Sequence, residues 1–228
     1  MRKTLVFALS LISCLLSRDG TKAPLIIYDP RLPKKHAGKV SDAVTANVDM
    51  TATIFALAGV PAPEGIDGKS LLPLLTNPSG HVREWLPLFN FWGIVSAQSM
   101  AVVSREWKYI YWFYGAQGMK PTEELFHLGQ DRIEMANVVA KPRYAAELAA
   151  AKTAYDAELT ALQARVVKNH ESYSVLFDRS VAWDQKTPLL KGKKRRGGNE
   201  EEEETSPGEA GKEPAKTTTG KEHRKQNQ

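Results

Sequence analysis

Cysteine is almost missing from this 228-residue chain: the single Cys14 excludes an internal disulfide and any cysteine-rich zinc site. The five histidines lie far apart and show no metal-ligand spacing, so no metal site is expected. A long apolar run is missing too. The longest, Thr4 to Leu16, falls short of the roughly 20 residues that a membrane-spanning helix needs. From Lys191 to Gln228 there is no aromatic residue and almost no aliphatic one. Such a tail has no apolar surface to offset the entropy of ordering it, and disorder is expected there. Charge of one sign is also lacking, because the net +5 comes from local runs rather than one basic face. With no nucleic-acid motif and no aromatic residue among the tail's charges, a nucleic-acid partner is not expected.

What is present fits a soluble globular protein: 42% hydrophobic and 25% charged residues, enough for one large domain or two small ones. Met1-Arg2-Lys3 ahead of a short apolar run reads as a signal peptide over residues 1–17, which implies export to a periplasmic or extracellular space. Leu11-Ile12-Ser13-Cys14 is similar to a bacterial lipoprotein cleavage box, which would leave a lipid anchor at Cys14. In the tail, residues 191–228, the basic run Lys191 to Arg196 is followed by the acidic block Glu200 to Glu204.

Between these ends the pattern changes twice. Pro24 to Tyr28 is a short β-prone run expected to form a buried strand, and Ala43 to Val48 a second extended piece. Asp49 is placed to cap a helix carrying Met50, Ile54, Phe55, Leu57 and Ala58, with Gly59 ending it and Pro61 and Pro63 preventing its return. Ser70 to Leu75 reads as one or two buried helical turns. From Leu86 onward Pro87 to Trp92, Met100 to Ser104, Lys108 to Phe113 and Glu124 to Leu128 are short β-prone runs, broken at Arg105-Glu106 and at Gly115 to Pro121. They predict an antiparallel meander, with Val102, Tyr109, Tyr111 and Phe113 on one face. Pro142 then opens a helix running to about Val166, with Tyr144, Leu148, Ala151, Tyr155, Leu159, Leu162 and Val166 as its apolar stripe. Packing of that helix on the sheet is favoured over a coiled coil.

Six blocks, in order, resemble the sulfatase family. Asp19 to Ile27 (DGTKAPLII) is similar to the family's E-G-G-x-R-x-P-L-I entry, and Ala46 to Thr53 (ANVDMTAT) to S-x-x-D-L-x-P-T. Ala56 to Val60 and Asp67 to Leu75 follow in family order. Val102 to Ile110 (VVSREWKYI) resembles A-V-R-T-x-x-Y-K-Y-I, and Glu124 to Leu128 with Asp131, Glu134 and Asn137 resembles E-L-Y-D-L-x-x-D-P-x-E-x-x-N, with Arg132 in place of the proline.

The resemblance implies part of an alkaline-phosphatase-like α/β sulfatase fold. Residues 18–85 would be the edge of the large mixed-sheet domain. Residues 86–190 would be the C-terminal α+β subdomain, an antiparallel sheet with one long helix. It also implies hydrolysis of carbohydrate or aryl sulfate esters, for which complete members use calcium and a formylglycine made within C/S-x-P/A-x-R. No such motif occurs here: Cys14 is followed by Leu15-Leu16-Ser17-Arg18, and no catalytic residue is assigned. The chain is therefore expected to be inactive alone, as the product of a truncated, mispredicted or split gene, with a complementary N-terminal half as partner. Asn90, Trp92, Gln98 and Trp112 are the candidate substrate-binding residues for a sulfated carbohydrate, by analogy with the pocket wall that this subdomain supplies. The other readings are an ordinary aromatic core with polar loop groups, and a non-catalytic module binding sulfated glycans.

Overall fold

The computed structural model describes residues 23–90, 98–113, 120–165 and 171–186. The signal-like segment, Cys14, Trp92, Val166 and the charged tail lie outside the described residues. Four strands form an antiparallel meander in chain order: β1 (Leu86–Asn90), β2 (Ser99–Val103), β3 (Trp107–Trp112) and β4 (Thr122–His127). The β2–β3 turn is the two-residue Arg105-Glu106 break. Ser104 closes it, donating its N–H to the Trp107 carbonyl at 2.8 Å while its hydroxyl accepts the Trp107 N–H.

Alternation along the strands gives the sheet two distinct faces. One carries Met100, Val102, Tyr109, Tyr111 and Leu125, all buried with Phe113 against Ala151, Tyr155 and Leu159 of a long helix. The other carries Ala101, Ile110 and Phe126, with Leu88 and Trp112 beside them. The helix and its sheet packing match the expectation. A 3-10 turn at Pro142–Tyr144 leads into it, with the proline in the first turn where its missing N–H costs nothing.

Three further helices complete the described chain. In chain order the four are α1 (Asp49–Ala58), α2 (Leu72–Thr76), the long α3 (Ala145–Ala164) and α4 (Glu171–Leu176). Gly59 ends α1 at φ 68°, in the left-handed region, with its own N–H and that of Val60 closing on the Ala56 and Phe55 carbonyls. Leu71 and Leu74 bury the short α2 as expected.

The family block after β4 is explained by hydrogen bonds. Asn137 accepts the N–H groups of Leu125 and Val139, each at 3.0 Å, and Asp131 accepts that of Ala136 at 2.7 Å. Glu134 sits at φ 57° and its carboxylate reaches the buried Lys108 at 2.7 Å, where the cation on β3 needs a counter-charge.

Three expectations fail upstream. Pro24 to Tyr28 is not a buried strand: only an isolated bridge forms at Ile27, while Ile26 and Tyr28 are 65% and 57% exposed. A strand of this kind needs neighbours on both sides to pair its backbone. Ala43 to Val48 is irregular and turns into α1 rather than extending. Asp49 does not cap α1. It is the first helical residue, and its carboxylate turns away to accept the N–H groups of Ala46 at 2.7 Å and Lys69 at 2.8 Å.

Candidate functional site

Strand register places four polar or aromatic positions in one line. Asn90 pairs with Ser99, Ser99 with Trp112 and Trp112 with Thr122. Directly opposed residues in an antiparallel sheet project to the same face, so these four share one edge of the face opposite α3. This is the end of the sheet from which segments 91–97 and 114–119 leave. Two of the candidates, Asn90 and Trp112, are thereby brought together, and Gln98, which is buried, adjoins Ser99 in the chain. The fourth, Trp92, falls outside the described residues.

Sequence reasoning missed Ser99 and Glu124. Ser99 is fully buried, and its Oγ has no hydrogen-bond partner among the described residues. Glu124 accepts the Trp112 indole N–H at 2.8 Å, which fixes the ring at the strand end. The signal for Ser99 was available: a two-residue turn at Arg105-Glu106 pairs Ser104 with Trp107 and, by counting back, Ser99 with Trp112. This row offers an aromatic face, an amide and a desolvated hydroxyl.

Charged groups elsewhere are engaged in structural pairs. Arg83 forks onto the fully buried Asp49, with one contact at 2.5 Å. Burial pushes the Asp49 carboxyl up, but the Arg83 guanidinium and the Lys69 and Ala46 N–H groups outweigh it and hold it below the usual carboxylate range. Burial depresses Lys108, against the opposing pull of Glu134. Arg179 ties Asp156 at 2.7 Å to Glu123, which also takes Lys152 at 2.6 Å. Lys186, fully buried, donates to the Tyr111 hydroxyl at 2.8 Å and lies 4.9 Å from its ring centroid. Burial lowers Lys186 to about 8, with only the more distant Asp178 opposing.

Among the described residues no group of three His, Cys, Asp or Glu side chains could hold a metal ion. The carboxylates at Asp29, Asp42, Asp49 and Asp67 are paired with Arg31, Arg105, Arg83 and Arg165. Asp29 also closes a turn, since it accepts the Arg31 N–H. These donors do not fit a calcium site, and no reaction step is derived through one.

The fold is similar to that of a solved complex, described as BT4656 with its substrate D-Glucosamine-2-N, 6-O-disulfate. The match has a TM-score of 0.53 at 24% identity and covers 65% of this chain and 29% of that one. The chain thus has part of the alkaline-phosphatase-like sulfatase fold, an α/β architecture. Arylsulfatase K of Danio rerio is 34% identical over 126 residues, 54% of this chain and 23% of its own length. An N-acetylglucosamine-6-O-sulfatase of Bacteroides thetaiotaomicron is 28% identical over 130 residues, covering 54% and 22%. The chain therefore spans less than a quarter of these relatives. A family model described as N-sulphoglucosamine sulphohydrolase, C-terminal, matches residues 14–163. The chain belongs to that sulfatase C-terminal family. No described helix is long and apolar enough to cross a membrane.

Proposed function

We propose that this chain is the substrate-flanking C-terminal unit of a sulfuric ester hydrolase acting on carbohydrate or aryl sulfate esters, with no turnover of its own. The observation that carries this reading is the family match over residues 14–163 in a sequence without the C/S-x-P/A-x-R nucleophile motif. The calcium and formylglycine chemistry belongs to residues this sequence does not contain.

The complementary partner is a catalytic N-terminal half. Its docking face is the upstream region, where Ile26, Tyr28, Val40, Val48, Ile54 and Val60 are all about half exposed or more. Several apolar side chains left open this way mark a contact surface. Co-expression with the catalytic portion of a related sulfatase, followed by co-purification, tests the pairing. A chain that stays monomeric and soluble, and captures nothing from such a portion, would refute it.

A second reading, a non-catalytic module for sulfated glycans, is favoured by the Asn90–Ser99–Trp112 row. Titration with glucosamine 6-sulfate separates the two. Binding by the chain alone, lost in Trp112→Ala and kept after deletion of Lys191 to Gln228, supports the module. Binding lost with the tail alone points to simple charge attraction. Export follows from the signal-like residues 1–17. Radiolabelled palmitate incorporated by wild type but not by Cys14→Ser would establish the lipid anchor.

A further inference from the structure

Residues 23–83 are tied to one another. Asp49, at the head of α1, accepts the Lys69 N–H and the Arg83 guanidinium, and Thr53, one turn on, accepts the Leu71 N–H at 2.9 Å. Ala52, Leu71 and Leu74 are buried in this part of the chain. None of the three belongs to either apolar cluster of the sheet, and among the described residues both clusters are drawn from 85–183. Two parts of a chain that share no sizeable apolar interface are free to move against each other.

Charge links them instead. Asp42 pairs with Arg105 of the β2–β3 turn, and Asp67 with Arg165 just past the end of α3. All four side chains are more than half exposed, and exposed pairs of this kind contribute little and are screened by salt. Between the two parts lies a cleft of about 550 Å³, lined by Ser79 on one side and by Trp107 and Ala150 on the other.

The joint is short. Arg83 is held by Asp49 within the first part, whereas Trp85 packs against the main core. The exposed Glu84, in a bend, is the one residue between these two anchors. A hinge needs only a few such positions to absorb the change in backbone angles.

We propose that residues 23–83 form a rigid arm, hinged at Glu84 and latched over the cleft by the Asp42–Arg105 and Asp67–Arg165 ion pairs. The exposed Ile26, Tyr28, Val40, Val48, Ile54 and Val60 all ride on this arm. On the docking reading given above, the catalytic half is therefore carried toward or away from the sheet as the latch opens. The hinge itself stands without that reading.

The test uses the full chain with Cys14→Ser and spin labels at Ser79→Cys and Ala150→Cys, exposed positions on opposite sides of the cleft. Double electron–electron resonance then reads the distance between the labels. Salt shortens the reach of charge from about 10 Å at 0.1 M to about 3 Å at 1 M. One distance is expected at low salt, and a second, longer one at 1 M. Arg105→Asp should raise the longer population about fivefold at low salt, the effect of losing one exposed ion pair, and adding Asp42→Arg should reverse it. Arg165→Asp provides a second variant with the same expected direction. Hydrogen exchange separates swinging from melting, since the amides of α1 keep their protection if the arm moves as a unit. A single distance at every salt and in every variant, a longer population that Asp42→Arg does not reverse, or α1 protection lost along with the short distance would overturn the proposal. A failed co-purification with the catalytic portion bears on the docking reading and leaves these distances unchanged.

Discussion

Asp49 shows how far a single side chain departs from its sequence context. Its place ahead of the helical apolar repeat suggests a helix cap, yet its carboxylate gathers Ala46, Lys69 and Arg83 from three separate segments. Asp49→Asn strands a buried guanidinium, and a loss of about 3–5 kcal/mol is expected in denaturant titration. The depressed carboxyl also sets a pH window. Its stabilisation is full above the unfolded value of about 4 and is lost as pH falls through the lower folded value, so the variant should be less acid-sensitive than wild type. Lys186 has the opposite sign. Its folded value of about 8 lies below the unfolded value, so the folded chain binds fewer protons between about 8 and 10.5 and stability should rise with pH across that window. Lys186→Met should remove this rise and stabilise the fold by about 1–3 kcal/mol at pH 7, read from melting curves at pH 7 and 10.

At the scale of elements, the part most legible in the sequence was the part with its own complete packing. The four strands, their order and the stripe of α3 follow from alternation and helical spacing because each apolar face finds a partner within residues 86–186. Pro24 to Tyr28 differs for the converse reason: its composition suits a buried strand, but among the described residues no strand covers Ile26 or Tyr28. The candidate site was half legible. Asn90 and Trp112 were found from their strand-end positions. Ser99 escaped because its role comes from register across two strands rather than from its neighbours in the chain. The seam between α3 and the last described segment holds a buried bond, from the Tyr155 hydroxyl to the Phe177 carbonyl at 2.8 Å, beside the Arg179–Asp156 pair. Tyr155→Phe leaves that buried carbonyl without this donor and should cost about 1–2 kcal/mol, with hydrogen-exchange protection lost first around Leu176 and Phe177. Gly59→Ala, forced into the left-handed region, should cost about 1 kcal/mol and fray the end of α1 in the same experiment.

For the whole molecule, two features point the same way. The sheet, α3 and Phe177 share one buried cluster, while residues 23–60 leave Ile26, Tyr28, Val40, Val48, Ile54 and Val60 in solvent. Asp29, Asp42, Asp49 and Asp67 are each paired with an arginine, and the nucleophile motif is absent from the sequence. On the proposed reading, the chain flanks the substrate while the bond-breaking chemistry resides outside its sequence. Hydrolysis of a chromogenic aryl sulfate by the purified chain, with calcium supplied, tests this most directly. No release above buffer at any chain concentration is predicted; turnover that scales with the chain and survives further purification would contradict it.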